Sequence, residues 1–223
     1  MDGKILRWGI MGTARINNAL IPPLNVSPRN RLLAVASRDR ERAHQYAKEK
    51  GIERAHGSYE ALLTDPEIDV VYISLPNHLH AEWTIKAAMA GKHVLCEKPI
   101  ALSTDDVKAI ADAGAKHGVV IAEAFMYRHH PQTLKVCELI ESGAIGQMRL
   151  VRGGFSYPLA RTGDVRLKPE LGGGSIWDVA CYPISFARTV LGGAAPDEVF
   201  GWEIVGPTGV DISFLGQMRY ANG

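Results

Sequence analysis

A lysine, an aspartate and a tyrosine stand where proton-transfer chemistry could be done. Lys98 lies in Val94-Leu-Cys-Glu-Lys-Pro99, just past a short apolar run that reads as a buried strand. In open α/β sheets ligands lie at the carboxyl ends of the strands, so a cation there faces a ligand rather than bulk water. Asp178 and Tyr182, four residues apart after Gly172-Gly173-Gly174, share one face of a helix. A phenol can move the proton of an alcohol if a nearby cation stabilises its anion. Lowering a phenol by about two pKa units takes roughly 2.7 kcal/mol. One positive charge about 4 Å away supplies on the order of 4 kcal/mol at an effective dielectric of about 20. Lys98 and Tyr182 therefore match as a proton-transfer pair, and Asp178 is placed to orient a substrate hydroxyl or to hold Lys98.

A second constellation suits a phosphate-rich ligand. Trp8-Gly-Ile-Met-Gly-Thr-Ala-Arg15 joins an apolar run to a helix. A glycine in such a turn lets the backbone approach a pyrophosphate, whose charge the helix N-terminus stabilises. Gly12 takes the first place of the Gly-x-Gly-x-x-Gly fingerprint, while Ala14 and Asn17 hold the second and third. Ser37-Arg38 ends the next apolar run, where NAD binders usually present an acid and an arginine instead accommodates a 2′-phosphate. A guanidinium can pair with that phosphate through two hydrogen bonds and stack on adenine. NADP is favoured, with NAD as the alternative through Asp39.

The elements that must position these groups follow a βα grammar up to residue 124. Strands are predicted over 6–10, 32–37, 70–75, 93–96 and 119–122, with a weaker one at 54–56. Helices are predicted over 14–21, stopped by Pro22-Pro23, over 40–50, closed by Gly51, and over 80–90, closed by Gly91. Ser103 with Asp106 opens another that ends near Gly118. From Phe125 the pattern changes: a helix over 132–141, alternating runs at 148–157, 199–205 and 211–220, and a helix over 175–190. The expected fold is α/β, with a Rossmann-type parallel sheet in 1–124 and a second α+β domain of mostly antiparallel sheet in 125–223. Asn222-Gly223 is a tight-hairpin dipeptide with no return strand after it, so the second sheet is expected to be unfinished, the domain truncated.

Composition narrows the class. Lys plus Arg number 25 against 24 Asp plus Glu, and no basic block stands out, which argues against nucleic acid or an anionic membrane as partner. No run approaches the roughly 20 apolar residues that cross a bilayer, and none near the start resembles a signal core. Cys96, Cys137 and Cys181 form no Cys-x-x-Cys pair and make a disulfide framework unexpected, so a reducing cytoplasm is expected. Cys96 ends an apolar run and reads as inert. Arg128-His129-His130 is not read as a metal site, because adjacent histidines point apart.

Taken in order, Trp8-Gly-Ile-Met-Gly-Thr-Ala-Arg-Ile16, Val35-Ala-Ser-Arg-Asp39, Ser74-Leu-Pro-Asn-His-Leu-His80, Glu97-Lys98-Pro99, Glu123-Ala-Phe-Met-Tyr-Arg-His-His-Pro131 and Asp178-Val-Ala-Cys-Tyr182-Pro183 resemble the Gfo/Idh/MocA-type oxidoreductases. The resemblance covers essentially the whole chain. It is nearest to the NADP-linked branch of sugar (xylose or glucose-fructose) and trans-dihydrodiol dehydrogenases, which has tyrosine where the inositol dehydrogenase branch has histidine. It implies Lys98 and Tyr182 as the catalytic pair, Asp178 lining the substrate site, and Pro76, Asn77 and His80 near the nicotinamide. With the motifs above, the expected cofactor set is Gly12, Thr13, Ala14, Arg15, Ile16, Ser37, Arg38, Leu75, Pro76, Asn77, His80, Glu97 and Lys98. The resemblance further implies a cis Lys98-Pro99 bond, a small polyhydroxylated substrate, and a homo-oligomer when the chain is full length. The rival expectations are a ligand sensor that binds dinucleotide without turnover, since regulators share the resemblance, and a fragment that binds cofactor only.

Overall fold

The structure, a computed structural model, describes residues 3–161 and 163–221. The chain divides into two compact units, Met1–Ala124 and Phe125–Gly223.

The first unit is a six-stranded parallel sheet. Its strands are β1 (Leu6–Met11), β2 (Asn30–Ala36), β3 (Arg54–His56), β4 (Val70–Ile73), β5 (His93–Cys96) and β6 (Ile121–Glu123), in the order β3-β2-β1-β4-β5-β6. Between them run α1 (Asn17–Val26), α2 (Arg40–Lys50), α3 (Tyr59–Leu63), α4 (His80–Met89) and α5 (Thr104–His117). Strands covered on both faces become continuous apolar runs, and β4, Val-Val-Tyr-Ile, is buried throughout. One core cluster holds Met11, Leu33, Leu62, Val71, Ile73 and Trp83; a second holds Ile10, Ile21, Val35, Ala47, Ile52 and Tyr72. At the amino edge, Asp69 accepts from the backbone N–H, Nε and Nη2 of Arg7 and from Lys4, which holds its carboxyl far below the usual carboxylate range despite burial.

Local chemistry explains most helix boundaries. Asp39 caps α2 by accepting from the Arg42 N–H, and Gly51 closes it in the left-handed region. Ser103 caps α5, and Gly118 ends it at φ +64°. The exception is α1, expected to stop before Pro22. It starts three residues late, after Asn17, Asn18 and Ala19 N–H groups bond three residues back, and continues to Val26 with both prolines inside. Proline removes a donor and crowds the carbonyl four residues back, but Ile21 and Leu24 on either side are buried, and their packing offsets that cost.

The second unit holds α6 (Pro131–Glu141), α7 (Cys181–Val190) and one antiparallel pair, β7 (Glu198–Val205) with β8 (Asp211–Arg219). The run at 148–157, expected as a strand, forms neither helix nor strand. An alternating run becomes a strand only where a neighbouring backbone pairs with it, and no ladder reaches these residues. The mostly antiparallel second sheet is therefore two-stranded among the described residues. The expected turn at Asn222-Gly223 lies outside them.

Among the described residues no helix is long and apolar enough to cross a membrane, and no group of three His, Cys, Asp or Glu could hold a metal ion.

Candidate active site

The residues expected to hold a dinucleotide lie on turns that follow strand ends. Gly12 follows β1, Ser37 and Arg38 follow β2, Ser74 to Asn77 follow β4, and Glu97 and Lys98 follow β5. The strand order places β1 beside β4, where connections leave in opposite directions and a crevice opens at the carboxyl ends.

Gly12 fits a close backbone approach. Its φ is +104°, and a Cβ there would meet Leu75 Cδ2 at 3.0 Å and the Ser74 carbonyl oxygen at 3.2 Å. The turn that follows is closed by carbonyls of Ala14, Arg15 and Ile16, each accepting an N–H three residues on. Thr13 with Arg42, Gln45, Tyr46 and Glu49 lines a small cavity. Asn17, in the third fingerprint place, is fully buried and donates from Nδ2 to the Gly12 carbonyl at 3.0 Å. An amide thus supplies the order that a third glycine supplies by close packing.

At the end of β2, Ser37 Oγ accepts the Asp39 N–H at 3.2 Å, and Asp39 Oδ1 accepts the Arg42 N–H at 3.1 Å. Asp39 thus serves as a helix cap. Burial raises the Tyr59 phenol, while Arg38, and then Arg42, act in the opposite sense, which sets two guanidinium groups around one point. Arg42 and Tyr59 escape sequence reasoning, although Arg42 stands in the first turn of α2, where a second cation could have been sought.

The Lys98 segment is held on both sides. The Lys98-Pro99 bond is cis, as the resemblance implies. The Glu97 N–H bonds to the Ile73 carbonyl, and Glu97 Oε1 accepts from the Tyr72 hydroxyl at 2.5 Å. The Pro99 carbonyl lies 2.7 Å from His80 Nδ1, and the Ile100 N–H donates to Glu123 Oε1 at 2.8 Å. Pro76 begins a single turn, Asn77–Leu79, that delivers His80 to the start of α4.

His80 is 1% exposed, and its Nε2 lies 2.8 Å from the Leu75 carbonyl. Each ring nitrogen faces a backbone carbonyl, so the ring bridges the turn after β4 and the turn after β5. A neutral imidazole donates only one N–H. Burial pushes its pKa down, against the opposing pull of the Pro99 and Leu75 carbonyls. Below its ordinary 6.5 the unfolded chain binds more protons than the folded one, so stability falls as pH drops and is full above that value. Thermal midpoints measured from about pH 7.5 to about pH 5 should therefore fall in the wild type, and His80→Gln should start lower and fall less. A parallel decline would show that other groups set the slope.

In the second unit, the expected helix over 175–190 is present but opens with a π-turn, Ile176–Ala180, before α7. The Cys181 N–H bonds to the Ile176 carbonyl five residues back. Pro183 explains this, because its ring supplies no N–H for the Val179 carbonyl four residues earlier. Asp211, from β8, fixes the start: its Oδ2 accepts from Ser175 Oγ at 2.5 Å and the Ile176 N–H at 2.8 Å.

Asp178 and Tyr182 therefore straddle the change from π to α geometry. Asp178 accepts from Arg166 Nε at 3.0 Å and, through a short bond, from the Tyr157 hydroxyl. Burial, and then Asp178, push the Tyr157 phenol up to about 12, so it stays a donor. The Tyr182 ring packs edge-on to Phe125 and Tyr127 and tilted against Phe155, at centroid distances of 5.4, 6.1 and 5.5 Å. Its hydroxyl points to Met126 Sδ at 3.8 Å. Phe155 and Tyr157 connect the two environments, 6.3 Å between centroids. Tyr157, Arg166 and Asp211 were invisible as site residues in the sequence, since their partners lie 21, 12 and 36 positions away.

Cys96 is fully buried, and burial pushes its thiol up to about 12, as its place at the end of an apolar run predicts.

A doubly wound parallel sheet of this order, with a glycine turn at its switch point, is the architecture of the dinucleotide-binding Rossmann class. The description "Oxidoreductase family, NAD-binding Rossmann fold" matches residues 6–125, and "GFO/IDH/MocA C-terminal domain" matches residues 133–223. The chain belongs to the Gfo/Idh/MocA oxidoreductase family. It is 44% identical over 220 residues to D-xylose 1-dehydrogenase (NADP(+)) 2 of Haloferax volcanii, covering 98% of this chain and 67% of that one. It is 36% identical over 217 residues to trans-1,2-dihydrobenzene-1,2-diol dehydrogenase of Xenopus laevis, covering 96% and 66%. Among solved structures, a mutant of KijD10, a 3-ketoreductase from Actinomadura kijaniata in complex with TDP-benzene and NADP, superposes with a TM-score of 0.88 at 32% identity, covering 97% of this chain and 67% of that one. The chain thus spans about two thirds of the length of these relatives.

Proposed function

We propose that the protein is an NADP-dependent oxidoreductase that transfers a hydride between nicotinamide and a hydroxyl-bearing carbon of a sugar, polyol or dihydrodiol. Residues 1–124 hold the dinucleotide, and residues 125–223 contribute the substrate site and the subunit interface. NADP, when bound, supplies or accepts the hydride. Gly12 gives its phosphates a backbone to approach, and Arg38 meets the 2′-phosphate. Tyr182 moves the hydroxyl proton with Lys98 as its cationic partner, and Asp178, fixed by Arg166 and Tyr157, lines the substrate site. The rest of the cofactor set, Thr13, Ala14, Arg15, Ile16, Ser37, Leu75, Pro76, Asn77 and Glu97, flanks the same crevice, while His80 acts behind it by holding the turns.

The observation that carries the cofactor reading is that Asp39 caps α2 through Oδ1, while Arg38 stands between it and the end of β2. An acid that selects NAD offers its oxygens to the ribose, whereas Asp39 Oδ1 accepts the Arg42 N–H, and the guanidinium groups of Arg38 and Arg42 both act on the Tyr59 phenol. The names of the xylose and dihydrodiol relatives support the substrate class. Against a sensor without turnover stands the presence of both Lys98 and Tyr182 in the sequence, since a sensor needs no proton shuttle. We place the protein in the cytoplasm, as a homo-oligomer in its full-length form, acting on a small molecule rather than nucleic acid or a membrane.

Fluorescence titration with NADPH and NADH under identical conditions tests the cofactor reading. NADPH is expected to bind at least about tenfold tighter, a difference of about 1.4 kcal/mol. Equal affinities would return the selectivity to Asp39. Oxidation of NADPH across a panel of aldoses, ketones and diols then tests the substrate class.

A further inference from the structure

Tyr72 sits on β4, outside every motif that marks the dinucleotide site, yet its hydroxyl ends on one. Its ring, 3% exposed, packs in the core cluster with Ile10 of β1 and Ile21 of α1, the two elements that flank the Gly12 turn. Its hydroxyl donates to Glu97 Oε1 at 2.5 Å, and the next residue is Lys98. A tyrosine on a central strand has no packing need for a hydroxyl, and a buried phenol beside an ionised carboxylate makes a strong, charge-assisted bond.

We infer that Tyr72 is a positioning residue that couples the floor of the phosphate turn to the Glu97-Lys98-Pro99 segment, fixing that segment for the nicotinamide half of the cofactor. The inference rests on the dinucleotide reading of the site. Glu97 is tied by its backbone to Ile73 and by its side chain to Tyr72, so its carboxylate cannot swing into the crevice. His80 on Pro99 and Glu123 on Ile100 complete the support, and of the three side chains only Tyr72 is anchored in the core beneath the phosphate turn. A ring with two torsions transmits position at low entropic cost, which suits such a strut.

The test compares two ligands that differ only at the nicotinamide end, NADPH and 2′-phospho-ADP-ribose. In Tyr72→Phe the ring and its packing stay, and only the bond to Glu97 goes. The expected result is a roughly tenfold weaker Kd for NADPH, about 1.4 kcal/mol, with 2′-phospho-ADP-ribose unchanged within about twofold. Glu97→Gln removes the charge from the same bond without altering the core and should reproduce the loss. The double variant should bind NADPH no more weakly than either single one, since both remove one interaction. Unchanged NADPH affinity in both single variants would overturn the inference while leaving the cofactor reading intact. Equal weakening of both ligands would also overturn it, since it would mark Tyr72 as part of the general fold. If the wild-type chain bound neither ligand, the cofactor reading itself would fall, and the inference with it.

Discussion

Tyr182→Phe is expected to lower kcat by about 10²- to 10⁴-fold, the range for losing a positioned general acid–base group, while NADPH affinity stays within about twofold. The two effects separate because of where the ring sits. Phenylalanine keeps the contacts with Phe125, Tyr127 and Phe155 and loses the hydroxyl, which is directed at the Met126 sulfur. Such a loss costs about 1 kcal/mol or less in stability, so the fold survives the test. The measurement is steady-state turnover on whichever sugar, polyol or diol the wild type accepts, alongside a cofactor titration. Lost binding with normal turnover at saturation would remove Tyr182 from the chemistry. On the proposed pairing, Lys98→Met should give a comparable fall in kcat, and the double variant should be little worse than either single one, as for residues of one proton-transfer unit.

Gly12→Ala should damage fold and binding together. The residue sits at φ +104°, a conformation costing an L side chain of order 1–3 kcal/mol. The added methyl would also lie 3.0 Å from Leu75 Cδ2 and 3.2 Å from the Ser74 carbonyl oxygen. The leucine tip can yield. The Ser74 backbone cannot yield freely, because its N–H holds the Met11 carbonyl beside β1. Overpacking of this kind adds roughly 1–3 kcal/mol. At about 2–4 °C per kcal/mol for a chain of this size, the thermal midpoint should fall on the order of 10 °C, and NADPH affinity by at least about tenfold. A variant with wild-type melting and wild-type affinity would show that the turn relaxes without cost and that Gly12 is not the point of closest approach.

How far the sequence could be read depended on the range of the interactions involved. Ser103, Asp39, Gly51 and Gly118 act within one turn of the helices they bound, so α2 and α5 were legible residue by residue. The order of short buried strands and amphipathic helices was equally plain, because each carries its own period. What failed was decided elsewhere. The prolines of α1 looked like a stop, but the burial of Ile21 and Leu24 overrode them. The alternation at 148–157 looked like a strand, yet pairing belongs to a neighbour and cannot be read from one run. The candidate site divides in the same way. Its glycine, arginine, lysine and tyrosine announce themselves by motif. The groups that hold them, Tyr72 on Glu97, Arg166 on Asp178 and Asp211 on Ser175, lie 25, 12 and 36 positions from their partners. Asp39, a rival for the ribose in the sequence, caps α2 through Oδ1, a bond made within one turn of the helix.

The clasp of Asp211 on the start of the π-turn has an evolutionary consequence. Gly174 lies so close that any Cβ there would collide with the Asp211 carboxylate. Position 174 can therefore gain a side chain only if position 211 becomes smaller, and position 211 can lengthen only while 174 stays glycine. Across sequences of this type, a side chain at position 174 should therefore appear only where position 211 is smaller than aspartate. A lineage that loses the aspartate would first have to find another acceptor to start the helix carrying Asp178 and Tyr182.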